Sequence, residues 1–125
     1  MESMLGECLG KVASMEILLV DDEDDSRAIL ACMLRDQGYA VATCPDAAAA
    51  LVRLDATTYD VMITDQSMPG MSGTDLVLAA RRLQSGLRCI VASGHAPPPA
   101  PILGDTTWIT KPLDIVELFK LLGPA

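Results

Sequence analysis

The sequence predicts a doubly wound α/β domain built on a parallel five-stranded sheet. Three observations carry that expectation. Five short β-like runs alternate with helical patterns. Four of the runs are mostly apolar throughout, as strands covered on both faces must be. Acidic, hydroxyl and amine side chains follow the carboxyl ends of those runs, the edge where ligands sit in open parallel sheets.

Residues 1–14 form a leader. Met1, Met4, Leu5, Cys8, Leu9 and Val12 recur at helical spacing, an amphipathic stripe weakened by Gly6 and Gly10. The leader reads either as a linker remnant or as an extra N-terminal helix packing on the domain or on a partner. The domain itself is expected over residues 15–123. Its first strand is Glu16–Val20, and a helix over Asp24–Gln37 carries the apolar positions Ile29, Leu30, Met33 and Leu34. Gly38 ends that helix in the C′ position.

The second strand is Ala40–Cys44. Asp46 then caps an alanine-rich helix running to Ala56. The third strand, Asp60–Thr64, leads into a helix over Thr74–Gln84, and the fourth strand is Arg88–Ala92. The connection that follows reads GHAPPPAPILGD, residues 94–105. Its prolines forbid a normal helix, so the helix due between the fourth and fifth strands is expected to be shortened or absent. The fifth strand, Thr107–Thr110, is short and more polar, which suits an edge. Asp114 caps a last helix to Leu122, and Gly123-Pro124 stops it.

The chain has 125 residues, enough for one domain with one core, and half of them are apolar. Its net charge of −8 argues against nucleic-acid binding and against an anionic membrane surface, since both need a basic face. Cys8, Cys32, Cys44 and Cys89 are too widely spaced for a zinc site, and His95 is the only histidine. They read as reduced, mostly buried thiols of a cytoplasmic protein. No apolar run approaches the roughly 20 residues of a membrane span, and no signal-peptide core is present.

The chemistry concentrates at the strand ends. In ILLVDDEDD, residues 17–25, an apolar strand runs straight into acids. Asp21 and Asp22 follow the first strand, Asp65 the third, Ser93 the fourth and Lys111 the fifth. Clustered carboxylates repel unless a cation neutralises them. Oxygen ligands without histidine or cysteine suit Mg²⁺. A lysine opposite a hydroxyl offers paired donors for phosphoryl oxygens, and a central Asp65 suits the nucleophile of acyl-phosphate formation. Singly, each residue has a plain alternative. An Asp pair after a strand is a common helix entry, Lys111 alone is a surface lysine, and Glu23, Asp24 and Asp25 suit a solvated first helical turn. Their joint placement at successive strand ends outweighs those alternatives.

With these residues in view, the chain resembles the receiver domain of two-component response regulators. The matching pieces are LLVDDE (18–23), TDQSMPGMSG (64–73), VASG (91–94) and TKPLD (110–114), within a resemblance covering about residues 16–122. The resemblance implies a (βα)5 flavodoxin-like fold. It implies that Asp65 accepts a phosphoryl group from a phosphohistidine. Asp22 would ligate Mg²⁺ directly, Asp21 through water, Asp65 by its carboxylate and Ser67 by its backbone carbonyl. Ser93 and Lys111 would bind the phosphoryl oxygens, and Trp108 would be the switch aromatic. Pro112 stands where relatives often have a cis peptide. Ser67 and His95 stand where dephosphorylation is tuned in relatives, although His95 reads first as a surface loop residue and only second as an acid–base group.

The implied partner is a histidine kinase or histidine phosphotransfer domain. The proline-rich connection makes dimerisation through the usual fourth-helix face unexpected. The missing output domain leaves a stand-alone receiver or a piece of a hybrid sensor kinase, with the MPGMSG stretch leaning to the latter. Two other functions compete. One is a degenerate receiver acting only as a protein-interaction module. The other is an aspartyl-phosphate enzyme such as a phosphatase; against it, Ser67 stands where such enzymes keep a second acid. A receiver catalyses only its own phosphorylation and dephosphorylation.

Overall fold

The computed structural model describes residues 15–95 and 104–124. Within them, β1 (Glu16–Val20), β2 (Ala40–Cys44), β3 (Val61–Asp65), β4 (Arg88–Ser93) and β5 (Thr106–Thr110) form one sheet in the order β2-β1-β3-β4-β5. Every pairing is parallel. Four helices accompany it among the described residues: α1 (Asp24–Asp36), α2 (Ala47–Ala56), α3 (Gly73–Leu83) and α4 (Ile115–Leu122). This is the α/β fold expected from the sequence, with β5 at an edge. The leader, with its possible N-terminal helix, and most of the proline-rich connection, with its shortened or absent helix, lie outside the described residues.

Strand alternation assigns the two cores. In β1, Ile17 and Leu19 face one side with Val61, Ile63, Ile90 and Ile109, where Ala31 and Leu34 of α1 and Leu118 and Leu122 of α4 cover them. Leu18 and Val20 face the other with Met62, Cys89 and Val91, beneath Ala50 and Leu54 of α2 and Leu76, Val77 and Ala80 of α3. Positions covered on both faces of the sheet must be apolar, which is why Ile17–Val20 reads as an unbroken apolar run after exposed Glu16.

Several boundaries moved. β3 begins at Val61 rather than Asp60 and runs one residue further, so that Asp65 pairs with Ala92 instead of following the strand. β4 likewise takes in Ser93, and β5 starts at Thr106. The helix expected at Thr74 begins at Gly73, because Ser72 is its N-cap and accepts a hydrogen bond from Asp75 N–H. Asp46 and Asp114 cap as expected, accepting from Ala49 N–H and from Val116 and Glu117 N–H. α1 ends at Asp36, one residue earlier than expected. Gly38, at φ 100°, donates to the Arg35 carbonyl while Tyr39 donates to Leu34, the paired bonds of a Schellman ending.

The apolar stripe of α1 is split. Leu34 is buried beside Ala31, whereas Ile29 is 62 % exposed and Met33 sits at the rim of a groove. The cysteines also divide: Cys44 and Cys89 are buried, but Cys32 is exposed, contrary to the reading of mostly buried thiols for this one. Burial pushes the Cys44 thiol up and that of Cys89 up to about 11, so both are poor nucleophiles. Among the described residues no helix is long and apolar enough to cross a membrane.

Candidate functional site

The carboxyl edge of the sheet gathers the side chains that the strand ends predicted. The backbone N–H of Asp21 still donates to the Cys44 carbonyl, at 3.2 Å, so the β1–β2 ladder runs one residue beyond the strand. The chain then turns. Glu23 N–H donates to Asp21 Oδ1 at 2.9 Å, fixing that carboxylate in a short turn before α1. Asp22, between them, is exposed. Carboxylate oxygens of Asp21, Asp22 and Asp65 all lie within 4.8 Å of one another.

Asp65 is held from both sides of its strand. The following residue, Gln66, donates its N–H to the Ala92 carbonyl and accepts from Gly73 N–H, each at 2.9 Å. Gly73 comes so close that a Cβ there would stand 2.3 Å from the Asp65 carbonyl oxygen. Gln66 Oε1 also accepts from the N–H and hydroxyl of Thr74, tying this loop to the start of α3. Gly73 closes the stretch TDQSMPGMSG, where the sequence alone assigns it no task. Its signal was weak, because a glycine following a capping serine has many uses.

Lys111 leaves the end of β5 and reaches across β4, with Nζ 2.7 Å from Asp65 Oδ1. The peptide joining Lys111 to Pro112 is cis. Burial works against the charge on Lys111. The hydrogen bond and charge of Asp65, with the charges of Asp21 and Asp22, outweigh it and raise its pKa. Asp21 responds oppositely. Its pKa rises to about 6, chiefly through burial; the Glu23 N–H opposes the rise, and the proximity of Asp65 adds to it. One lysine thus faces three acids, and the net deficit is positive charge. Three hard oxygen donors with no histidine or cysteine fit Mg²⁺, which accepts few protein ligands.

Ser93 is buried at the end of β4, and its Oγ accepts from His95 N–H at 3.0 Å. The His95 carbonyl in turn accepts from the indole Nε1–H of half-buried Trp108, at 3.2 Å. The imidazole is exposed, so the backbone of His95 makes this link. Ser67 lies on the exposed loop two residues after Asp65. Beside the acids, a groove of about 530 Å³ opens between α1 and the β5–α4 connection. Ile29, Leu30, Met33, Leu113 and Ile115 give it an apolar wall, and Asp65 and Lys111 stand at its end.

Sequence reasoning missed Arg27. Its guanidinium reaches back to the Asp21 carbonyl at 2.8 Å and to Asp24 at 2.7 Å. The Asp24/Arg27 spacing hinted at an i, i+3 pair. A side chain returning to a strand carbonyl leaves no mark in sequence.

A family model of the response regulator receiver domain matches residues 17–122. An uncharacterized 14.6 kDa protein of Leptolyngbya boryana is 35 % identical over 117 residues, covering 89 % of both chains. The transcriptional regulatory protein TcrA of Mycobacterium tuberculosis is 29 % identical over 121 residues. That match takes in 94 % of this chain but 48 % of TcrA, so this chain spans about half of that regulator. Among solved structures, the receiver domain of the hybrid histidine kinase CckA superposes with a TM-score of 0.75 at 33 % identity, covering 86 % of this chain and 94 % of that one. The response regulator TrrA of Thermotoga maritima, solved with Mg²⁺ and BeF, gives 0.77 at 26 % identity, covering 86 % and 96 %.

Proposed function

Since the chain belongs to the response regulator receiver domain family, we propose that it is a phosphorylation-dependent signalling switch whose phospho-acceptor is Asp65. One observation carries the reading: Asp65 Oδ1 is 2.7 Å from Lys111 Nζ, while carboxylate oxygens of Asp65, Asp21 and Asp22 lie within 4.8 Å of one another. Structural stability alone does not call for three acids around one lysine.

Asp21, Asp22 and Asp65, with the backbone carbonyl of Ser67, would hold Mg²⁺. The ion, when bound, supplies positive charge for the phosphoryl oxygens. The donor in this reading is the phosphohistidine of a histidine kinase or histidine phosphotransfer domain. The apolar groove beside Asp65 gives such a partner a surface to meet. An Asp65 carboxylate oxygen attacks phosphorus in line; the P–N bond breaks and the electron pair leaves with the imidazole. Lys111 transfers its hydrogen bond from the carboxylate to a phosphoryl oxygen. Ser93 already accepts from His95 N–H, so its own hydroxyl hydrogen is free to be donated to a phosphoryl oxygen. Reorientation of Ser93 pulls on the His95 backbone and hence on Trp108, which carries the local charge change to the surface. Water later attacks the phosphorus, the bond from phosphorus to the Asp65 oxygen breaks, and inorganic phosphate leaves, restoring the carboxylate. Nothing is turned over but the domain's own phosphoryl group.

Titration with beryllofluoride in the presence of Mg²⁺ tests the proposal. Trp108 fluorescence is expected to change saturably, and Asp65→Asn is expected to abolish the change. A flat wild-type response would leave a degenerate receiver, acting as an interaction module, as the better reading.

A further inference from the structure

We propose that Arg27 is a positioning residue for the cation site, holding in place the peptide that joins Asp21 to Asp22. The inference rests on the reading of those acids as the Mg²⁺ site. Arg27 lies in α1 with its side chain only 18 % exposed. Nη1 donates to the Asp21 carbonyl at 2.8 Å, and Nη2 pairs with Asp24 Oδ1 at 2.7 Å. The position of that carbonyl matters. Asp21 N–H is the last group on this strand to join β2, through the Cys44 carbonyl. Beyond it the ladder is over, Asp22 is exposed, and the chain must turn into α1. The Arg27 guanidinium takes the place of a ladder partner for the carbonyl side of Asp21. It thereby sets the plane of the peptide from which Asp22 projects.

The bond to Asp24 braces the other arm of the fork. A guanidinium presents several N–H groups in a fixed plane and can serve both oxygens at once. An ammonium is a compact point charge without that planar fork. Arg27 is therefore expected to act by geometry rather than by charge. The two roles make opposite predictions. A positive charge near three acids competes with a bound cation, so removing charge alone would tighten Mg²⁺ binding. Removing a positioning bond would loosen it, as loss of outer-shell partners typically does, by about 10- to 100-fold.

Calorimetric Mg²⁺ titration of wild type, Arg27→Met and Arg27→Lys separates these cases. Arg27→Met keeps the aliphatic packing of the largely buried stem and removes both charge and donors. Binding to it is expected to weaken by about tenfold or more, with Arg27→Lys intermediate. Denaturant unfolding without Mg²⁺ runs in parallel, because a purely structural role would lower stability yet leave the affinity of the folded protein unchanged. Unchanged or tighter Mg²⁺ binding by a folded Arg27→Met overturns the inference while leaving the site intact. Should Arg27→Met not fold, Arg27→Lys decides: weakened binding at unchanged charge supports positioning, and wild-type binding overturns it. Failure of the wild type to take up Mg²⁺ overturns the functional reading and this inference together.

Discussion

Trp108 and Ser93, on neighbouring strands, are joined through the backbone of a single residue: the indole N–H donates to the His95 carbonyl, and the His95 N–H donates to Ser93 Oγ. A change at Ser93 therefore reaches the indole without crossing the core. Ser93→Ala removes both the acceptor for His95 and the hydroxyl offered to a phosphoryl oxygen. The Trp108 fluorescence change is expected to lose amplitude, and its beryllofluoride midpoint to rise by about tenfold or more, the worth of one hydrogen bond to a charged group. A full-amplitude response in Ser93→Ala would place the coupling elsewhere.

Lys111 serves the phosphoryl group in this account, not the cation. Its charge opposes Mg²⁺, since it faces Asp65, Asp21 and Asp22 together. Lys111→Ala is expected to keep or tighten Mg²⁺ binding by calorimetry while losing the beryllofluoride response. Its side chain is 45 % exposed but that of Asp65 only 11 %, so its loss should cost more than the roughly 1 kcal/mol of a surface pair. Loss of Mg²⁺ binding in this variant would contradict the assignment.

Asp21 gives the metal-free domain a characteristic pH dependence. Its folded pKa, about 6, lies above its ordinary 3.8, so the folded state holds the proton more tightly. The stability from this group is complete below the ordinary value and is lost as pH rises through the folded one. Urea unfolding without Mg²⁺ should show that loss between about pH 4 and about pH 7. Saturating Mg²⁺, which takes the place of the proton, should reverse it at the upper end. A metal-free stability that rises across this window from the site alone, as judged against Asp21→Asn, would contradict the account.

Gly73 leaves room for the carbonyl of the phospho-acceptor. A methyl group at that position would stand 2.3 Å from backbone oxygen, which cannot yield as a flexible side chain can. Gly73→Ala is expected to cost about 1–3 kcal/mol in unfolding free energy. It should also weaken the beryllofluoride response by displacing Asp65. Wild-type values in both assays would contradict the close approach.

The residues that bear the chemistry were legible because β/α alternation is written in the apolar runs, and four of the five runs lead into a site residue. Asp21, Asp22, Asp65, Ser93 and Lys111 could be placed on one edge by order alone, before any distance was known. The strand boundaries at Asp65 and Ser93 were not legible, because a strand's last paired residue is decided by its neighbour's register. Ser72 was passed over as a cap since it sits in a glycine-rich turn with several candidate starts. Arg27 and the His95 link escaped for a common reason. Both act through backbone atoms, and a backbone partner carries no residue type to recognise.

Incubation with acetyl phosphate and Mg²⁺, followed by intact-mass spectrometry, addresses the phospho-acceptor most directly. The account predicts gain of a single phosphoryl group, prevented by chelation of Mg²⁺, absent from Asp65→Asn, and located on Asp65 by reductive trapping of the acyl phosphate. No gain in the wild type, or an undiminished gain in Asp65→Asn, would contradict it.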